Sequence, residues 1–454
     1  MSFYSVELPY QTDAAHYYAA LADLPWAIWL DSGGTARFDI LTAAPNRTLV
    51  LDKDTIQSDP FAMLRKALGG RVAPVENIPF AGGALGYWSY DLARQMYALP
   101  GVSQDAKLLP DRVPDMAIGI YDWALVLDHQ RHTASLVSHQ RFAETAELLP
   151  HILRRLQSNP QLPPDTFRVQ GKIISNLTPD SYAAAFAQVQ NYLQAGDCYQ
   201  INLAQRFSVP AFGDALAAYQ MLRSLSPAPY SAFLNLPQVQ ILCASPERFL
   251  RVQNGSVETK PIKGTRPRSN DAQQDHRLAE ELRNHPKDRA ENLMIVDLLR
   301  NDLGKSCEPG SVRVPKLFEV ESFANVHHLV STVEGRLAKG RDALHVLRDC
   351  FPGGSVTGAP KLRAMQIIEQ LEPDRRGIYC GAIGYVGFDG NMDSNIVIRT
   401  LVYSHGEIRC WAGGGIVADS DVVAEYQETL DKASAMLKLL QHYGGEYDYF
   451  TQSR

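Results

Sequence analysis

The sequence predicts an α+β protein dominated by antiparallel strands. Residues 26–41 and 117–138 read as strand–turn–strand units. Residues 379–412 read as an antiparallel meander, and strong helices are expected over 287–303 and from near 419 to 442.

At about 150 residues per domain, 454 residues predict two or three domains and a large buried core. Hydrophobic residues make up 45% and charged residues 21%, a globular composition that argues against disorder. A net charge of −6 speaks against a nucleic-acid partner, so an anionic substrate needs a local cationic pocket. No apolar run reaches membrane-spanning length, so no membrane association is expected. The six cysteines (198, 243, 307, 350, 380 and 410) form no C-x-x-C pair and read as reduced thiols, not as a disulfide framework or a zinc site. Met1 to Pro9 lack a basic stretch followed by an apolar core, so no signal peptide is expected and the predicted location is cytoplasmic.

In the first third, Trp26-Ala-Ile-Trp-Leu30 and Arg37-Phe-Asp-Ile-Leu41 flank the turn Asp31-Ser-Gly-Gly34. Phe61, Leu64 and Leu68 recur at helical spacing over 60–69. Gly82-Gly83 and Gly86 fit no nucleotide-binding spacing, and close strand packing is the better reading of them. Over 117–138 an apolar strand, the polar turn His129-Gln-Arg-His132 and a return strand form a hairpin, and a helix follows over 142–156. Three prolines between Gln157 and Asp165 mark a boundary. The predicted division is an N-terminal region 1–157, a linker 158–172 and a catalytic region 173–454.

Beyond the boundary, Thr178-Pro179 opens a helix that Gly196 closes, with Tyr182, Phe186, Val189 and Leu193 as its buried stripe. Asp197 to Phe207 reads as a strand, and Ile241 to Leu250 as another, interrupted at Ser245-Pro246. Glu247 follows that break. A carboxyl there can act as a general acid if its pocket holds the proton on it, or can pair with Arg248 at the surface.

The stretch Glu258 to Arg268 sets Lys263 between Pro261 and Gly264. A neutral lysine held there can be a nucleophile; a basic surface loop is the plainer alternative. Asp288 and Glu291 share a face of the 287–303 helix, as Glu425, Glu428 and Lys432 do on the last helix. These can be solvated ion pairs, or two halves of a magnesium site if the helices face each other. Gly353-Gly354, ahead of a helix, and Gly413 to Gly415, after the meander, are turns or anion-binding backbone.

Taken in order, Ser245-Pro-Glu-Arg-Phe249, Pro261-Ile-Lys-Gly-Thr265, Lys287-Asp-Arg-Ala-Glu-Asn292, Val296 to Asp302, Ser355-Val-Thr-Gly-Ala-Pro-Lys361 and Ala424-Glu-Tyr-Gln-Glu-Thr429 resemble the chorismate-utilising enzymes. That family includes anthranilate, aminodeoxychorismate, isochorismate and salicylate synthases. The resemblance covers roughly 175–440, and the N-terminal third is similar to that of the two amino-transferring members. Two positions sort the branches. Gln200 stands where isochorismate and salicylate synthases carry a water-activating lysine. Lys263 stands where anthranilate synthase carries alanine, and lysine there is the mark of the aminodeoxychorismate synthase branch.

The resemblance implies a large sandwich of mainly antiparallel sheets flanked by helices. It implies Mg²⁺ on Glu291 and Glu428, with Glu425 and Asp288 in support. It implies chorismate held by Arg399, Lys432, Tyr379, the Gly413, Gly414 and Gly415 amides, His328, Thr357 and Gln200. Glu247 is then the acid for the departing 4-hydroxyl and Lys263 the nucleophile. Ammonia is implied as co-substrate. No cysteine here lies in a Gly-x-Cys-x-Gly context, so a separate glutamine amidotransferase subunit in a heterodimer is its implied source. Ser32, Arg37, Phe38, Asp39 and Pro229 match positions that hold a tryptophan in relatives. The short loop between Ser32 and Arg37 leaves a plainly packed hairpin as the alternative. Rival readings are anthranilate synthase component I and a catalytically silent tryptophan-binding homologue.

Overall fold

Two large, mainly antiparallel sheets face each other in the computed structural model, which describes residues 3–52, 59–97, 99, 113–158, 160–323 and 326–447. In the first, the strands run Tyr4–Leu8, Thr133–Ser138, Ala124–Asp128, Phe38–Thr42, Ala27–Asp31, Tyr230–Leu236, Val239–Ser245, Thr400–Ser404, Glu407–Ile416, Gln200–Phe212 and Ile174–Ser175. In the second they run Ile262–Pro267, Val326–Arg336, Ser256–Thr259, Arg248–Gln253, Met392–Ile396, Ala382–Gly387, Gly83–Trp88, Met116–Tyr121 and Arg47–Leu51.

Strand periodicity decides what each sheet buries. Trp26 and Ile28 point between the sheets, with Leu234, Leu250 and Ile383. Ala27 and Trp29 point to the outer face, where Tyr219 and Leu437 of covering helices meet them. A strand buried on both faces needs an apolar residue at every position, which is why Trp26 to Leu30 shows no polar alternation. Gly83 confirms the close-packing reading: a Cβ there would lie 2.3 Å from the Val386 carbonyl oxygen.

The helices form where their caps predict. Thr178 caps Pro179–Gln194 in a reciprocal arrangement with Ser181, and Gly196 follows at φ 77°. Asp421 accepts from the amides of Val423 and Ala424 to start Val422–His442. Among the described residues no helix is long and apolar enough to cross a membrane. All six cysteines are buried and unpaired.

Two expectations are corrected. The first arm of the 117–138 hairpin is two strands in different sheets, broken at Asp122-Trp123. There the Asp122 carboxylate accepts from the Phe142 amide, and Trp123 buries its ring. The meander strand expected over 393–404 also divides, at 397–399, into Met392–Ile396 of the second sheet and Thr400–Ser404 of the first. Residues on both sides of 158–172 supply strands to both sheets and to the layer between them, so the boundary separates stretches of sequence that share one core.

Candidate active site

The chain crosses from one sheet to the other at places that carry chemistry. Val239–Ser245 belongs to the first sheet and Arg248–Gln253 to the second, with Glu247 in the step between them. Met392–Ile396 and Thr400–Ser404 make the opposite crossing, with Arg399 in the step at φ 50°. The two crossings are stitched together. Ser245 Oγ accepts from the Glu247 amide and donates to the Ile396 carbonyl at 2.6 Å, and the Ile396 amide donates to the Glu247 carbonyl. A residue between sheets is freed from the in-and-out alternation of a strand, so its side chain can point along the gap.

Lys263 lies in a strand, not in a loop. The register between Ile262–Pro267 and Val326–Arg336 shifts between Ile262 and Thr265, so Lys263 and Gly264 form a bulge. A bulge re-aims side chains at the rim of a sheet. Gly264 has φ 79°, and a Cβ on it would meet Asp288 Cγ at 2.7 Å and Leu282 Cδ1 at 2.9 Å. Only glycine lets the helix Pro286–Gly304 approach so closely while holding this backbone conformation. Lys263 Nζ donates to the Ser355 carbonyl at 3.4 Å.

Glu247 is buried, and burial pushes its carboxyl above the ordinary range. A hydrogen bond from Ser355 Oγ at 2.9 Å, Lys263 and Lys432 act in the opposite direction. Glu247 therefore pairs with no surface arginine. Arg248 turns to Asp393 and Glu258 instead.

The carboxylates of the two helices come together. Burial raises Glu291, and Asp288 and Glu428 add to the shift, while Lys263 and Lys287 oppose it. Burial likewise raises Glu425, with Glu428 adding. Burial also acts on Glu428, but Lys432 at 2.5 Å outweighs it and holds that group low. Lys287 reaches Glu425 across the two helices at 3.7 Å. Glu425 Oε2 is buried without a hydrogen-bond partner among the described residues. A Cβ on Gly414 would meet that oxygen at 2.9 Å and Glu428 Oε1 at 3.6 Å. Asp288 differs from the expectation: it is held by His285 at 3.0 Å and Arg266 at 3.3 Å. Among the described residues no three His, Cys, Asp or Glu form a metal cage. Mg²⁺ needs only one or two carboxylates when waters and a substrate oxygen complete its shell, and an unpartnered carboxylate oxygen beside a second carboxylate fits that demand.

The substrate-binding candidates have these surroundings. Arg399 has no carboxylate partner among the described residues, and burial lowers its pKa. A part-buried guanidinium with no carboxylate partner among the described residues suits an incoming carboxylate. His328, bonded to Thr265 Oγ1 at 2.9 Å, is held at about 4 by burial, Arg399 and His327, so it is neutral at pH 7. Gln200 is fully buried with neither amide atom paired among the described residues, over Gly415, whose Cβ would meet its Nε2 at 2.5 Å. Lys432 donates to the Gly413 carbonyl at 3.1 Å. Tyr379 stacks on Trp411 at 6.2 Å. The Thr357 hydroxyl donates to the Gly353 carbonyl at 3.1 Å, which turns it inward to its own turn.

Three residues were not singled out from sequence. Ser355 bonds both Glu247 and Lys263. Lys361 is buried against Asp302 at 2.6 Å and the Cys350 carbonyl, which ties the 351–361 turn to the Pro286–Gly304 helix. Arg376, paired with Glu372, donates to the carbonyls of Val356 and Asn202 at 2.8 Å each. Lys361 stood inside a recognised motif, but nothing in the spacing of Glu372 and Arg376 distinguishes them from a surface i,i+4 pair.

A cavity of about 670 Å³ opens between the sheets, lined by residues from both sides of the 158–172 boundary. Arg37, Phe38 and Pro229 line it, whereas Ser32 and Asp39 lie behind the wall. The Ser32 amide donates to Asp39 at 2.6 Å, and Asp39 pairs with His129 at 3.1 Å. Arg37 is held by Asp128 across the neighbouring strand.

Comparison with known proteins agrees with this geometry. A family described as chorismate binding enzyme matches residues 10–438. The chain is 48% identical to aminodeoxychorismate synthase component 1 of Escherichia coli K12 over 96% of its own length and 98% of the relative's. It is 39% identical to anthranilate synthase component 1 of Thermus thermophilus over 95% of this chain and 96% of that one. Among solved structures, anthranilate synthase component I of Streptococcus pneumoniae superposes with a TM-score of 0.78 at 33% identity, covering 88% of this chain and 92% of that one. The menaquinone-specific isochorismate synthase of Escherichia coli shares the fold alone, at TM-score 0.73 and 19% identity over 97% and 94% of the two chains. Matched over nearly its whole length by the family and by these relatives, the chain belongs to the chorismate binding enzymes.

Proposed function

We propose that this enzyme aminates chorismate at C4 to give 4-amino-4-deoxychorismate, on the route to 4-aminobenzoate and folate. The observation that carries the reading is Lys263, set in a bulge between a buried glutamate and a carboxylate pair. The names of the relatives at 47–48% identity support the same reaction.

Arg399 and Lys432, with the Gly413–Gly415 backbone, hold the two substrate carboxylates, and neutral His328 adds no second charge beside Arg399. Glu425 and Glu428, with Glu291, would hold Mg²⁺, which would supply positive charge that draws electron density from the ring. The Lys263 amine forms a bond to C2. The ring double bonds shift, the C4–O bond breaks, and Glu247 donates its proton so that the hydroxyl leaves as water. The proton released at Nζ returns to Glu247. Ammonia then bonds to C4, the double bonds shift back, and the C2–N bond breaks as Glu247 protonates the departing amine. The new ammonium returns that proton to Glu247. The nitrogen thus ends at C4 because the lysine has occupied C2. "Component 1" in the relatives' names supports a partner component, which we assign as the glutamine amidotransferase subunit that supplies ammonia. We assign tryptophan to the cavity between the sheets. Its presence is read by denaturing the purified protein and analysing the extract by mass spectrometry; an extract without tryptophan would contradict that assignment.

With chorismate, Mg²⁺ and an ammonium salt, Lys263→Ala is expected to lose C4 amination while chorismate binding persists. Full C4 amination by that variant would remove the covalent step.

A further inference from the structure

We propose that Ser355 is a positioning residue that sets the general acid and the nucleophile relative to each other. The inference deepens the C4 amination reading and rests on it. Ser355 is the one described residue that hydrogen-bonds both groups: its hydroxyl donates to Glu247 Oε1 at 2.9 Å, and its carbonyl accepts from Lys263 Nζ at 3.4 Å. Glu247 comes from the step between two strands, Lys263 from a strand bulge and Ser355 from a turn 108 residues beyond the glutamate.

The turn that carries Ser355 is clamped on all sides. A Cβ on Gly353 would lie 2.5 Å from Ile396 Cδ1, and one on Gly354 would lie 2.4 Å from Leu298 Cδ2. The two glycines therefore let the turn press against the crossing that adjoins Arg399 on one side and the carboxylate-bearing helix on the other. Arg376 holds the Val356 carbonyl, and the Thr357 hydroxyl holds the Gly353 carbonyl. Ser355 itself is buried, so water does not compete for its hydroxyl.

The consequence is directional. While Glu247 Oε1 accepts from Ser355, the acidic proton sits on Oε2, which leaves one defined donor for the departing hydroxyl. The Ser355 carbonyl accepts from Lys263 Nζ and so holds the lysine head beside the glutamate. Orientation of this kind acts on the chemical step more than on substrate binding.

The test is steady-state kinetics of Ser355→Ala and Ser355→Thr in the full chain with chorismate, Mg²⁺ and an ammonium salt. Ser355→Ala is expected to lower kcat by about 10-fold or more, the effect of one lost hydrogen bond to a charged group, with KM for chorismate little changed. Ser355→Thr restores the hydroxyl and most of kcat. A donor to the carboxylate form lowers a carboxyl pKa, so removing it moves the Glu247 limb of the kcat profile to higher pH in Ser355→Ala. An Ala variant with wild-type kcat and pH profile overturns the inference, as does an equal loss in both variants with raised KM, which marks a role in packing alone. If the wild-type chain releases anthranilate instead, the C4 reading fails, and the same comparison of kcat and pH profile still judges the Glu247 half of the inference.

Discussion

Lys263 owes its aim to an irregularity. In a regular strand, a residue next to Ile262 and Thr265 would alternate with them; the bulge releases it toward Glu247 and Ser355. The identities of Lys263 and Glu247 were legible from their flanking Pro-Ile and Ser-Pro, because prolines and glycines write backbone geometry into sequence. Ser355 was not legible as a site residue, since its partners lie 92 and 108 positions away and no local spacing encodes such a contact. Asp288 shares its helix face with Glu291 as the spacing predicts, yet Arg266 and His285 claim it, and neither could be placed there from sequence.

His328 gives a pH prediction at the same scale. Its folded pKa is about 4 against an ordinary 6.5, through burial, Arg399 and His327. The unfolded chain therefore takes up a proton first as pH falls below about 6.5, and folded stability is lost from there down to about 4, by about 3 kcal/mol for this one group. His328→Gln is expected to flatten that part of the stability curve, read as urea midpoints against pH. An unchanged slope would mean that other groups set it.

At the scale of elements, helices and hairpin ends followed from caps and turns, and sheet membership did not. The first arm of the 117–138 hairpin and the 393–404 segment each read as a single strand because their hydrophobicity continues across the break. Both flanks are buried, one in each sheet, so no polar signal marks the crossing. The crossing at 397–399 is where Arg399 sits. A functional residue was thus hidden inside an apparently regular strand.

The Glu407–Ile416 strand and the Val422–His442 helix make a second testable pair. Gly414 leaves room under Glu425 and Glu428. A methyl group there meets carboxylate tips, not backbone, so Gly414→Ala should fold normally. It should displace the Glu425 carboxylate and raise the Mg²⁺ concentration needed for half-maximal activity by about 10-fold, a loss of about 1.4 kcal/mol. Unchanged Mg²⁺ dependence would take Glu425 out of the metal site.

Across the whole molecule, each sheet joins one block of strands from before 158–172 to one block from after it. Ala27–Asp31 lies between Phe38–Thr42 and Tyr230–Leu236, and Gly83–Trp88 pairs with Ala382–Gly387. The prolines mark a change in sequence character, and the sandwich closes only when both regions are present. That architecture, read from the family resemblance, is the one found. The cavity between the sheets follows from it, since strands of both regions wall it.

The most direct test of the account is the product that the purified chain makes from chorismate, Mg²⁺ and an ammonium salt, separated by chromatography and identified by mass. The account predicts 4-amino-4-deoxychorismate with no release of pyruvate. Anthranilate with pyruvate would contradict it and would show that a lysine at position 263 does not direct nitrogen to C4.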